Sequence, residues 1–413
     1  MRSAIILAAF DFFALGGLGV FFPFYSMYLR ETAGLSGSQV GTVFAVMPLV
    51  GMLTQPLWGH LADRSGLRVR VLALLCLGSS AALLVLSALQ GFAALAGGTA
   101  LLALFLTSVM PMSVAITLAL VADRGPHAYG LIRVWGTVGF LCSVVAFPRV
   151  TAWVTASAES TAALAAESGT AALAYMLPVT AALFTMAGLV SLGLPQDGAV
   201  SLRAGSSDWR KLAGEPGFLR LLLFMFFAYF FLQGPIALFP LFVRYLGGGV
   251  DVVSRMWVFM LLLEIPLVAM IGTSFKRAGA RGLLAIGVAS GAVRWLVSAL
   301  TSNLALIYCV QMLHGLTVMG LILGAPLYVE AVVPKRLRST GQGILAMVGL
   351  SLGGALSNLG SGWLIDGFDA RAPALVGGCG ALLLTLMLPL LVPAVMDRHD
   401  ARPTPGQAPE TAI

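Results

Sequence analysis

Charged side chains are scarce in this sequence. Asp, Glu, Lys and Arg make up 10% of its 413 residues, while 59% are hydrophobic. A water-soluble chain carries about 25% charged residues to cover its surface, so a soluble globular protein is excluded. Cysteine is scarce too. Cys76, Cys142, Cys309 and Cys379 stand singly inside apolar runs, which excludes a disulfide framework or a cysteine metal site and leaves them as packing residues. No glycine loop ending in lysine, metal-ligand cluster or serine elbow occurs, which argues against ATP-driven transport and against an enzyme. No cofactor is expected beyond a proton gradient. The net charge of +7 forms no basic patch, so no nucleic-acid partner is expected.

What the sequence has instead is long apolar runs, each reaching the ~20 residues that cross a bilayer as a helix. Glycine is abundant at 48 residues, as suits helices that pack closely in lipid. The basic residues fall in short connections. One set holds Arg64, Arg68, Arg70, Arg124, Arg203, Arg210, Lys211, Lys276, Arg277, Arg281, Lys335, Arg336 and Arg338, and the opposite set only Arg30, Arg149, Arg244, Arg255 and Arg371. The bias toward positive cytoplasmic loops then puts both termini in the cytoplasm of a multi-pass inner-membrane protein. The first run carries Asp11, continues to Leu29 and lacks a clear cleavage site, so it is read as a span and not a signal peptide.

The chain repeats itself. Phe22-Pro23-Phe24 with Tyr28-Leu29 matches Phe239-Pro240-Leu241 with Tyr245-Leu246, and the stretch from Gly59 to Arg68 matches that from Gly272 to Arg281 without a gap. Two ordered matches imply two six-helix halves. The expected division is residues 1–194 and 217–396, joined by a polar cytoplasmic linker at 195–216 and followed by a disordered cytoplasmic tail at 397–413. Thr155 to Ala172 reads as an outer loop with some helical character.

In the connection after the second span, Gly59, Asp63, Arg64, Gly66 and Arg68 resemble the signature loop of the major facilitator superfamily. The glycines allow a tight reversal, and Asp63 can accept from a helix N-terminus or pair with an arginine. The resemblance implies an all-α integral membrane fold of about twelve helices, with this loop as a cytoplasmic gate. An ordinary charged turn is the plainer alternative. The second copy supplies Gly272, Arg277, Gly279 and Arg281 but has Lys276 in place of Asp63, so the gate is expected to be asymmetric.

Charge near the bilayer centre costs ~2.5–3.5 kcal/mol or more per residue. Away from the span ends stand Asp11, Arg133, Glu264, Arg294 and His314. A carboxylate, a histidine and arginines suit proton coupling, because burial favours a neutral acid and a nearby guanidinium favours the charged one. Asp11, Glu264, Arg294 and His314 are the candidates for that role, with Glu264 and Arg294 as the central pair. Plainer roles stay open: snorkelling for Arg133 and Arg294, a satisfied neutral histidine for His314, a helix-terminal role for Asp11.

These residues narrow the resemblance. Phe21 to Leu29, Gln55-Pro56-Leu57-Trp58-Gly59, Tyr129 to Phe140, Glu264, Arg294-Trp295 and Gln311 to Gly315 resemble the lactose-permease-like and phenylpropionate-permease-like branch of proton symporters. That resemblance implies substrate contacts at Arg133, Glu264 and His314, and a proton-release role for Arg294. Trp135 and the aromatics of spans one and seven are candidates to stack a substrate ring. The sequence also departs from the branch. Thr317 replaces a proton-carrying carboxylate, Gln311 replaces a lysine, and Leu104 to Val121 lacks the acid that pairs with the substrate arginine. An arginine without that partner is freer to bind an anion. The expectation is proton-coupled uptake of an aromatic acid, saccharide or nucleoside by a monomer in the bilayer. The rivals are a proton-coupled exporter, which Asp11 favours, and a non-transporting receptor on the same fold.

Overall fold

The computed structural model describes residues 2–121, 126–157, 173–195, 212, 214–269, 271–334 and 337–392, with the side chains at 126–128, 154–157, 263, 265, 267–278, 322–323 and 339 set aside. Among the described residues it is helical throughout. In hydrocarbon every backbone N–H and C=O must be satisfied within its own segment, so long apolar runs become helices.

Among the described residues ten helices are long and apolar enough to cross a membrane. In chain order they begin with α1 (Arg2–Met27, continued by a wider turn at Tyr28–Thr32), α2 (Gly37–Ser65), α3 (Arg68–Ala88), α4 (Phe92–Val121) and α5 (Pro126–Ser157). The shorter α6 (Met176–Ser191) follows. Then come α7 (Pro216–Ala237, extended by the short helix Phe239–Tyr245), α8 (Val250–Ala269) and α9 (Ile271–Leu300). The last three are α10 (Leu304–Val332), α11 (Thr340–Gly367) and α12 (Ala372–Leu391). With α6 and α8, the long helices complete twelve elements among the described residues.

Local chemistry sets several boundaries. At the start of α2 the Ser36 hydroxyl accepts from the Gln39 N–H at 3.2 Å, and the Gln39 side chain accepts from the Ser36 N–H at 3.0 Å. At its end Gly66 turns left-handed, φ +67°, and its N–H bonds back to Ala62. Gly279, at the matching position of the second copy, has φ +65° and kinks α9. The repeat therefore extends to backbone conformation.

It extends to packing as well. In the first six helices α1 packs on α5 and α6, α3 on α4 and α6, and α2 on α4. Six helices later α7 packs on α11 and α12, α9 on α12 and α10, and α8 on α10. Between the two sets, α2 meets α11 and, at the equivalent place, α5 meets α8.

These two seams are tight at one end of the molecule. Asp366 on α11 accepts from the Gly37 and Ser38 N–H groups, each at 2.7 Å. The Asn358 amide donates to the Phe44 carbonyl at 3.2 Å. Gly41 and Gly362 let the backbones of α2 and α11 touch, since a Cβ on either would strike the other helix. Beside them Arg244 grips Glu31 through two bonds of 2.6 and 3.0 Å. Toward the other end α2 is exposed on nearly every side from Gln55 to Ser65, with Leu57 67% exposed. The start of α11 is likewise exposed at Gly343, Ala346 and Met347. The structure is closed where the α1–α2 and α7–α8 connections lie, and α2 and the start of α11 are exposed toward the end that carries the first signature loop.

Candidate functional site

The intramembrane charges converge midway along the helices. Arg294 on α9 is 2% exposed and donates from each of its three side-chain nitrogens. Its Nε donates to Gln311 Oε1 at 2.7 Å, Nη1 to His314 Nδ1 at 3.0 Å and Nη2 to Met260 Sδ at 3.5 Å. Its guanidinium carbon lies 4.2 Å from the centre of the Trp295 ring. Gln311 passes the network on by donating to Ser298 Oγ at 3.2 Å. Nearby, Thr317 shares a hydrogen bond of 3.2 Å with Ser290.

The Arg294–His314 contact fixes the imidazole. Arginine only donates, so Nδ1 accepts and the ring proton sits on Nε2. That nitrogen faces Glu264 Oε2 on α8 at 3.8 Å, within ion-pair range and beyond a full hydrogen bond. The anticipated Glu264–Arg294 pair is thus bridged: His314 stands between them, held by the arginine on one side and aimed at the carboxylate on the other.

On the facing side Asp11 of α1 is 4% exposed and accepts from Ser113 of α4 at 3.2 Å. Arg133 of α5 acts electrostatically on both Asp11 and Glu264. The missing acid on α4 had suggested an arginine free for an anion. Two carboxylates, from α1 and α8, share its field instead. Its Nη1 is buried and has no hydrogen-bond partner. Asp11, Arg133, Glu264, His314 and Arg294 therefore form one continuous constellation.

Trp135 does not join it. Two residues beyond Arg133, it sits on the opposite side of α5, 52% exposed, in an exposed stripe with Leu131, Val134, Val150 and Trp153. The aromatics of α1 are also committed elsewhere. Tyr25 is fully buried, stacks on Phe21 at 4.4 Å between ring centres, and its hydroxyl lies 2.5 Å from Thr99 Oγ1. It is a packing residue.

The proposed gate is partly described. Arg68 grips Asp63 with contacts of 3.1 and 2.6 Å, inside one loop rather than across the molecule. Arg64 is exposed, Arg281 half-buried, and Gly59 lies in open space. The surroundings of Gly272 and the Arg277 side chain lie outside what is described, as do the tail at 397–413, most of the linker at 195–216 and most of Thr155 to Ala172. The sequence reading missed the Glu31–Arg244 and Asp366 contacts. A charge at a span end looks ordinary until tertiary packing shows what it faces.

The chain resembles known transporters over nearly its full length. The model of the MFS_1 like family matches residues 4–373. The maltose permease of Geobacillus stearothermophilus is 32% identical over 392 residues, covering 92% of this chain and 91% of that protein. The lactose permease of Klebsiella oxytoca is 30% identical over 152 residues, 33% of this chain and 36% of that one. Among solved structures, a point mutant of the nucleoside transporter NupG superposes with a TM-score of 0.82 at 17% identity, covering 94% of this chain and 99% of that one, which shows the fold. The matched family model, the full-length permease relative and the twelve-element fold agree: the chain is a multi-pass membrane transporter of the MFS_1 like family, within the major facilitator superfamily.

Proposed function

We propose that this transporter takes up a neutral saccharide together with a proton by alternating access. The observation that carries the reading is the buried network in which His314 joins Glu264 to Arg294, with Arg133, whose buried Nη1 has no partner, within electrostatic reach of Glu264 and Asp11. Two acids around one arginine disfavour an anionic ligand. They suit hydroxyl groups, which donate to a carboxylate and accept from a guanidinium. The relationship to a maltose permease supports the same class.

In this scheme a proton reaches Glu264 while the site faces outward. Neutralising Glu264 releases Arg133 from one of its two carboxylates and turns its unpartnered Nη1 to the substrate. The loaded site then reorients. Substrate leaves first, the proton follows, and the His314 Nε2–H restores its contact with the Glu264 carboxylate. The end closed by Asp366 and the Glu31–Arg244 pair is the outside, both termini are cytoplasmic, and the working unit is a monomer in the inner membrane. The halves 1–194 and 217–396 rock about the site, with 195–216 as their cytoplasmic link.

Proton-coupled export is the second reading, and the deeply buried Asp11 on α1 is what favours it. The sign of the proton flux separates the two. Proteoliposomes given maltose should alkalinise the external medium. Glu264→Gln should abolish this and accumulation against a gradient, while leaving maltose exchange across the membrane at a rate within about tenfold of wild type. External acidification on adding substrate means exchange, and proton movement unchanged in Glu264→Gln removes Glu264 from the coupling role.

A further inference from the structure

A proline inside a helix has no N–H to give, so the carbonyl one turn before it loses its partner. Within a bilayer no water replaces that partner, and a bare carbonyl is costly. Three prolines pose this problem, and a neighbouring helix meets each. Pro111 in α4 frees the Thr107 carbonyl, which accepts from the Gln55 amide of α2 at 3.1 Å. Pro48 in α2 frees the Phe44 carbonyl, which accepts from the Asn358 amide of α11 at 3.2 Å. Pro148 in α5 frees the Val144 carbonyl, which accepts from the Ser254 hydroxyl of α8 at 2.6 Å.

The three bonds differ in what they join. Gln55 and Thr107 belong to the same half of the molecule. Asn358 and Ser254 belong to the C-terminal half and their acceptors to the N-terminal half, one bond on each seam between the halves. Both donors are buried, at 3% and 4% exposed. Both also stand toward the closed end. Ser254 lies about 15 Å along α8 from Glu264, in the direction of the α7–α8 connection. Asn358 lies one turn from Gly362, where the backbones of α2 and α11 touch. Its Oδ1 is buried without a partner, so what holds the amide there is its donation across the seam.

We propose that the Asn358–Phe44 and Ser254–Val144 bonds form the outer latch of the transport cycle, made when the outer end closes and exchanged for water when it opens. This rests on the alternating-access reading above. An ordinary helical carbonyl already has its own N–H and gains little from a second donor. Each proline keeps its carbonyl in need of one. Closing the seam supplies the donor from the other half, and opening leaves the carbonyl to the water that enters the cleft. Trading a protein hydrogen bond for one to water changes the free energy little, so the latch is reversible. The Gln55–Thr107 bond, inside one half, holds α2 on α4 through the whole cycle.

Pulsed EPR distances across each seam test this in the full-length protein with its 4 cysteines replaced. Spin labels at Arg149 and Arg255, both exposed, report the α5–α8 seam, and labels at Thr32 and Phe368 report the α2–α11 seam. Ser254→Ala should raise the ratio of long to short Arg149–Arg255 distances about fivefold. Adding Pro148→Ala should reverse most of that rise, because the restored N–H at position 148 fills the Val144 carbonyl in both states. Asn358→Ala and Pro48→Ala should behave likewise at the other pair. Gln55→Ala should leave both ratios within about twofold of wild type. A Ser254→Ala ratio within about twofold of wild type overturns the latch. So does a rise that Pro148→Ala fails to reverse, which would mark Ser254 as a packing residue alone. A wild-type protein with a single distance at each seam, at acid and alkaline pH and with or without maltose, overturns opening at this end and the latch with it.

Discussion

The two sides of the site are built differently. On the C-terminal side Arg294 has hydrogen bonds from its Nε and from both Nη atoms, Gln311 is bonded at both ends and His314 is locked into one tautomer. On the N-terminal side Arg133 has a buried Nη1 without a partner, and Asp11 has one bond from Ser113. A completed network is rigid, because each member is held by others in a medium of low polarity. An incomplete one can exchange partners at little cost. Under the proposed function the contrast fits a C-terminal side that holds the proton machinery and an N-terminal side that meets the ligand.

Removing Arg294 should break the rigid side and give the largest effect. Arg294→Ala leaves Gln311 and His314 without their donor in a buried place and opens a cavity beside Trp295. Leaving a buried polar group without its partner costs about 1–3 kcal/mol, so the detergent-purified protein should melt below wild type. Accumulation should be undetectable. Arg294→Lys should recover much of the stability but little coupling, since an ammonium cannot reach Gln311, His314 and Met260 together as the planar guanidinium does. A lysine variant with wild-type coupling would show that the position needs only a charge.

The ligand-facing side should respond in affinity instead. A Cβ at Gly136 would sit 2.9 Å from Arg133 Nη1 and 2.9 Å from Leu15 Cδ1. Both atoms end flexible side chains, so folding tolerates the change while the guanidinium is displaced. Gly136→Ala should weaken substrate binding about tenfold, with stability changed by less than ~1 kcal/mol. Adding Leu15→Ala should restore part of the affinity by letting the methyl group turn toward α1. Calorimetric binding and a thermal melt on the same samples would show whether the two effects separate.

The fold was legible because lipid leaves so little choice: apolar runs of membrane length become helices, and the repeat orders them. The same argument picked out Asp11, Arg133, Glu264, Arg294 and His314, since a charge inside a span needs a partner. How they meet was not legible. His314 stands between Glu264 and Arg294 because α8, α9 and α10 converge there, which spacing along one helix cannot reveal. Trp135 was a different kind of miss. Its offset of two from Arg133 already placed it on the opposite side of α5. Glu31, Arg244 and Asp366 carried none, because each gains meaning only from the helix across the seam.

Asp11 should give the smallest change and sharpen the contrast most. Asp11→Asn keeps the shape and can still accept from Ser113, but it removes one of the two negative charges around Arg133. A buried carboxylate carries a desolvation cost that an amide does not, so the melting temperature should stay level or rise slightly. Arg133 is then left with Glu264 alone. The arginine's field then falls on that carboxylate undivided and opposes its protonation, so a larger proton gradient is needed for the same accumulation. Maltose exchange, which needs no net proton movement, should fall by no more than about threefold, while accumulation falls further. Measuring both on one preparation decides the matter: an equal loss in the two would make Asp11 a ligand contact, and a loss confined to accumulation would make it the counter-charge that lets Arg133 change partners.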